Sequence, residues 1–246
     1  MHALILAFLL AVQAAPAPPQ APEPQPDFAT LVEEEDALLA FTYGWPRAAA
    51  AVPAVERRMK ADMTASRARA RKYARDDKAE RPASATYIPH YFAKTWSTVG
   101  DTPHLLTLSA SIESFTGGAH GNLNFDGLIW DKAAGRAVTL ANLFADPAAA
   151  LAALTPAYCQ ALDQERSERR GEPLPLAGEN MAADCPPLPK QVALPVDADG
   201  DGRFEAVTIL IGPYAAGAYA EGSYLVEVPL TAPLRALVKD RYRASF

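Results

Sequence analysis

Between Leu105 and Phe115 apolar and polar residues alternate, with Leu106, Leu108, Ala110 and Ile112 set against Thr107, Ser109, Ser111 and Glu113. A period of two is the pattern of a strand with one face buried. Leu123 to Trp130 resumes strand-like sequence and is expected to return as the antiparallel partner. Ala37 to Tyr43 reads as an earlier strand stopped by Gly44-Trp45-Pro46, and Tyr87 to Val99 as aromatic and β-branched strand material. A period near 3.6 replaces the alternation from Pro53 to about Lys78. There Val52, Val55, Met59 and Met63 keep helical spacing, and Pro53 suits the first turn.

The second half of the chain is punctuated more heavily. Asp131 to Gly135 is a turn, followed by a short strand over Ala137 to Leu140. Asp146-Pro147 and Thr155-Pro156 each put a capping side chain before a proline, so two helix starts are expected, the second helix ending near Gly171. Strands are expected over Val192 to Val196, Phe204 to Ile211 and Ser223 to Pro229, with a terminal helix over Ala232 to Tyr242. Antiparallel strands packed against two or three helices make an α+β fold in one compact module. No internal repeat is visible.

The opening residues change the picture of where this module works. Ala3 to Val12 is an apolar core of signal-peptide length, too short to span a bilayer, and Val12-Gln-Ala14 offers small residues for cleavage. No Lys or Arg precedes it, unlike an ordinary signal. Residues 1–14 are read as the signal, 15–27 as a Pro/Ala-rich spacer, 28–125 as the first half of the module and 126–246 as the second. The expected protein is periplasmic or secreted, with no transmembrane anchor. Its net charge of −6 and pI near 5.3 argue against nucleic acid as a partner. An even cysteine count in an exported chain favours a Cys159–Cys185 disulfide, worth roughly 3–4 kcal/mol by loop closure.

Candidate chemistry concentrates between Ile112 and Phe125. Gly117, Gly118 and Gly121 surround His120, which describes either a tight turn or a small loop presenting Thr116, His120 and Asn122 to a ligand. As a general base His120 would need a supporting carboxylate, and Glu113 and Asp126 are the nearby choices. No Gly-x-Ser-x-Gly, His-Glu-x-x-His or phosphate loop occurs, and no cofactor is expected. Asp197, Asp199 and Asp201 with Gly202 resemble half of a calcium loop. Glu205 stands at the ninth position, but the twelfth is Thr208, so the segment reads as an acidic turn and at most a weak calcium site. Arg67, Arg69, Arg71, Lys72 and Arg75 make the second half of the long helix basic, either for an anionic surface or as a solvated face.

The run Ser114-Phe-Thr-Gly-Gly-Ala-His-Gly-Asn122, then a strand, a Lys132–Gly135 turn and Thr139-Leu-Ala-Asn-Leu-Phe144, resembles a bacterial extracytoplasmic domain pair. That pair occurs in RsiV-type anti-sigma factors and beside the catalytic domain of PdaC-type peptidoglycan deacetylases. Phe41 to Pro46 and the Val52 to Met63 helix are similar to its opening, and Ile211-Gly-Pro-Tyr-Ala-Ala-Gly-Ala-Tyr-Ala-Glu-Gly222 to its closing segment. The resemblance spans roughly residues 28–243. It implies a binding module without catalytic activity of its own, acting at the cell envelope on a lysozyme-like protein or a peptidoglycan fragment. Phe115, Phe125 and Trp130 are the aromatic residues near the loop available to stack on sugars. The alternative is a cell-wall hydrolase or transferase with His120 as base.

Overall fold

The computed structural model describes residues 27–82, 84–171 and 184–246. The export signal and nearly all of the spacer expected before Phe28 lie outside the described residues. The chain opens with a hairpin of β1 (Phe28–Glu35) and β2 (Leu39–Pro46), turned by Asp36, whose carboxylate accepts the N–H groups of Leu38 and Leu39. A short α1 (Arg47–Ala50) leads into the 28-residue α2 (Pro53–Glu80). Then come β3 (His90–Asp101), β4 (Leu105–Phe115), β5 (Asn122–Asp131) and β6 (Arg136–Val138). These six strands form one sheet in chain order, antiparallel except for β2 and β3, which α2 connects as a parallel pair. Helix α3 (Pro147–Arg170) precedes a second, antiparallel sheet of β7 (Val192–Val196), β8 (Ala206–Ile211) and β9 (Tyr224–Pro229). A short α4 (Ala232–Ala236) and a 3-10 turn over Asp240–Ser245 close the chain where one longer helix was expected.

The α+β class therefore stands, with two sheets in place of one. On one face of the first sheet, Val55 and Met59 of α2 pack with Phe41, Tyr43, Leu106, Leu108, Leu128 and Trp130. On the other, Leu105 and Ile129 join the core of the second sheet and α3. Both faces of β4 are thus buried near its start, although its sequence alternates as if one face met water. Thr107, fully buried, resolves its polarity by donating its hydroxyl to the Pro195 carbonyl at 3.0 Å. The sheets approach at Gly127, where a Cβ atom would lie 2.7 Å from Val192 Cγ1. Only glycine allows the second sheet to sit that close.

Three further local expectations change. Residues 28–35 form a strand, hidden in the sequence by the acidic run Glu33–Glu35, while burial still alternates along it. Strand β2 runs through Gly44-Trp45-Pro46. Its pairing with β3 ends at Gly44, so Pro46 pairs only with β1 and no ladder bond is lost on its other side. The two helix starts are one helix, with Pro156 inside it. An interior proline forfeits a backbone bond and costs about 3 kcal/mol. Here Ala150, Leu154, Tyr158 and Leu162 continue a buried stripe at spacing four straight across the proline. Thr155 turns its hydroxyl back to the Leu151 carbonyl at 2.7 Å instead of capping a new helix. Packing overrides the local stop.

Cys159 and Cys185 form the expected disulfide, with Cα atoms 5.5 Å apart. Among the described residues no helix is long and apolar enough to cross a membrane.

Candidate binding surface at the glycine loop

The loop joining β4 to β5 carries the glycines. Gly117 has φ +81°, a left-handed conformation that favours glycine, and a Cβ there would sit 2.9 Å from Arg81 Nη2. Gly118 has open space around it and no such backbone demand. One of the three glycines makes the turn.

His120 is exposed, and its contacts lie across the chain. Its Nδ1 is 2.8 Å from the Gly121 carbonyl, an acceptor, so that nitrogen carries the proton and donates. In the neutral ring Nε2 then accepts from the Tyr214 hydroxyl at 3.2 Å. The imidazole stacks on Tyr219 with ring centroids 3.8 Å apart, and the Tyr219 hydroxyl donates to the same Gly121 carbonyl at 2.7 Å. Tyr214 and Tyr219 are themselves 5.4 Å apart by centroids. Tyr214 is 65% exposed and has φ +68°, the one positive-φ residue other than glycine among those described. Held backbone strain of this kind clusters at binding and catalytic sites.

The segment bearing these tyrosines is fixed from behind. Glu221 accepts from the Ala218 N–H at 2.9 Å, from Arg170 Nε and Nη2 at 3.0 and 2.8 Å, and from the Tyr224 hydroxyl. Burial alone would raise its carboxyl, but the hydrogen bonds from Tyr224, Ala218 and Arg170 outweigh burial and lower it. Arg166, wholly buried in α3, donates Nε to the Ala216 carbonyl at 2.7 Å.

The other residues singled out in the sequence disperse. Thr116 lines a separate cavity against α2. Asn122 starts β5 opposite Ser114 and is exposed. Neither carboxylate has a hydrogen bond to His120: Glu113 lies in β4 between Ala93 and Leu123 of the neighbouring strands, and Asp126 is 2.7 Å from Lys94 Nζ. Trp130 faces the α2 core and is 7% exposed, so it is not available for stacking. The rings that meet the loop are Tyr214 and Tyr219, whose sequence signal was a pair of tyrosines five apart in a Gly/Ala-rich stretch.

Elsewhere, ligand atoms of Asp197, Asp199, Asp201 and Glu205 lie within 4.8 Å of one another. Their carboxylates accept the N–H groups of Gly202, Asp201, Arg203 and Ala198, while Asp197 Oδ1 is buried without a protein partner. Thr208 is buried within β8, so no carboxylate closes the loop from the twelfth position. The basic run on α2 meets the acidic run of the hairpin. Arg67 pairs with Glu34, and Arg71 with Asp36 at 2.7 Å.

These features define a two-sheet α+β module whose loop surface is built from both halves of the chain. Residues 32–123, less than half of the chain, match the family model described as Deacetylase PdaC. No curated protein matches the chain. Among solved structures, a DUF3298 family member from Bacteroides fragilis NCTC 9343 is similar at 14% identity, with a TM-score of 0.52. That match covers 89% of this chain and 98% of the other. A DUF3298 family protein from Pseudomonas aeruginosa PAO1 is similar at 16% identity over 86% and 93% of the two chains, with a TM-score of 0.47. The chain thus carries a PdaC-like segment within a fold like that of the Bacteroides protein.

Proposed function

We propose that the protein is an exported, non-catalytic module that binds at the cell envelope, in the periplasm or outside the cell, and that its ligand is a peptidoglycan fragment. The observation that carries this reading is the open cluster of His120, Tyr214 and Tyr219 on a pinned loop. Rigid aromatic faces bearing a polar edge give contact area at little entropic cost, and they stack on the apolar faces of sugar rings. Export rests on the apolar core at Ala3–Val12 and on a disulfide suited to an oxidising compartment.

The reading as a hydrolase or transferase has less behind it. The Nε2 lone pair of His120 is occupied by the Tyr214 hydroxyl, and among the described residues no carboxylate orients the ring.

Calorimetry of the mature protein against muropeptides and against a lysozyme tests the proposal. Muropeptide binding that weakens about tenfold in Tyr214→Ala and Tyr219→Ala is the expected result. Binding of lysozyme alone would transfer the surface to a protein ligand, for which the acidic balance of the chain offers steering. Binding of neither would overturn it.

A further inference from the structure

A second opening lies on the other side of the glycine loop. Between the far half of α2 and strands β3 and β4 is a cavity of about 370 Å³, lined by Ser66, Arg69 and Tyr73 from the helix, His90 and Tyr91 from β3, and Thr116 from the loop. Its origin is local. The helix turns Ser66 and Ala70, four residues apart, toward the sheet, and neither fills the space. The imidazole of His90 is fixed at the wall by Asp77, whose Oδ2 lies 3.0 Å from Nε2 and which also accepts from Arg81 at 2.9 Å.

Charge and position together single out Arg69, since Arg75, the other residue of the run without an ion pair among the described residues, does not line the cavity. In the basic run of α2, Arg67, Arg71 and Lys72 are each paired with a carboxylate. Arg69 forms no ion pair among the described residues. Its one hydrogen bond goes to Ser66 Oγ at 3.0 Å, and Asp62 feels its charge without pairing. A guanidinium without an ion pair, set at a cavity that presents hydroxyls and tyrosine rings beside the apolar walls of Leu39, Ala70 and Phe92, matches an anionic sugar. The fork binds a planar carboxylate, Tyr73 and Tyr91 offer ring faces, and Ser66 and Thr116 offer hydrogen bonds to hydroxyls.

We infer that this cavity is a binding site for a sugar acid, with Arg69 holding the carboxylate. The site stands on its own residues, while the choice of a muramic probe rests on the envelope reading. The test is NMR titration of the mature protein with N-acetylmuramic acid, D-glucuronate and neutral N-acetylglucosamine. Both acids should shift residues 66–73 and 90–92, with the neutral sugar at least about tenfold weaker. Arg69→Gln should lose at least about tenfold for the acids and leave the neutral sugar unchanged, while Arg69→Lys recovers part of the loss. Arg75→Gln and Tyr214→Ala should bind the acids as the parent does, which separates this cavity from the loop surface. Equal affinity for acid and neutral sugars, full binding by Arg69→Gln, or no shift with either acid at ~10 mM would overturn the inference.

Discussion

Arg166 Nε donates to the carbonyl of Ala216 across 2.7 Å, from a side chain with no solvent exposure. Its Nη2 reaches the Asp184 carbonyl at 3.0 Å, beside the disulfide, and Nη1 reaches Asp163 at 3.1 Å. One guanidinium therefore ties α3, the Cys185 loop and the tyrosine-bearing segment. Replacing it with Met keeps the bulk but leaves the carbonyl of buried Ala216 unpaired, costing about 1–3 kcal/mol, and releases the Asp184 carbonyl and Asp163. Arg166→Met is expected to lose roughly 2–5 kcal/mol in urea denaturation. It should also raise hydrogen exchange in residues 212–222 more than in β4.

Acid should loosen the same region through Glu221. Its folded pKa lies below the ordinary value, as do those of Asp62 and Asp131. Where burial raises each of them, hydrogen bonds from neighbours lower them further. At pH near 4 the unfolded chain binds protons that the folded chain refuses, so stability rises with pH there. The contribution is complete above the ordinary carboxylate range and is lost as pH falls through the folded values. Unfolding free energy should be flat above roughly pH 5 and decline below it. In Glu221→Gln that decline should be shallower, and an unchanged slope would remove Glu221 from the account.

What the sequence disclosed and concealed divides by range. The β4–β5 hairpin, α2, the disulfide and the α+β class follow from local period, capping and cysteine count. The acidic Glu33–Asp36 and basic Arg67–Arg71 runs were each visible, but nothing local encodes that Glu34 meets Arg67 and Asp36 meets Arg71. That partnership also explains the missed β1, since its inward Glu34 reads as polar where an apolar residue was expected. The glycine loop was legible as a candidate, either a tight turn or a binding loop. Its partners Tyr214 and Tyr219 come from more than 90 positions away, since Tyr214 is separated from His120 by 94 residues. Thr155-Pro156 gave a sound local signal that tertiary packing overrode.

Lys94 was invisible as a special position, yet it is 6% exposed and bridges Asp62 and Asp126 at 2.8 and 2.7 Å. Asp62 also accepts from the Tyr43 hydroxyl at 2.7 Å, and that hydroxyl accepts from Trp96 Nε1 at 3.0 Å. Burial, and then the Asp62 carboxylate, push the Tyr43 phenol well above its usual range. Removing the cation strands this chain of groups, so Lys94→Met should cost roughly 2–4 kcal/mol by chemical denaturation. Asp126→Asn leaves Lys94 its Asp62 partner, and Asp126 is nearly half exposed, so the loss should stay below about 1 kcal/mol. Equal losses in the two variants would contradict this ordering.

The adjacent glycines of the loop make the sharpest contrast. At Gly117 a new Cβ meets two obstacles, a backbone at φ +81° and Arg81 Nη2 at 2.9 Å. The backbone alone penalises an L side chain by about 1–2 kcal/mol, and Arg81 must also give way. That matters because Arg81 bonds to Asp77, which holds His90. At Gly118 nothing lies within 4 Å and φ is not positive, so alanine there removes only unfolded-state freedom. Gly117→Ala should therefore lower stability by about 1–2 kcal/mol and shift the NMR signals of both His90 and His120, while Gly118→Ala should range from neutral to stabilising by about 1 kcal/mol. If the two variants behave alike, the turn is not set by Gly117, and the coupling between the loop and the α2 cavity fails with it.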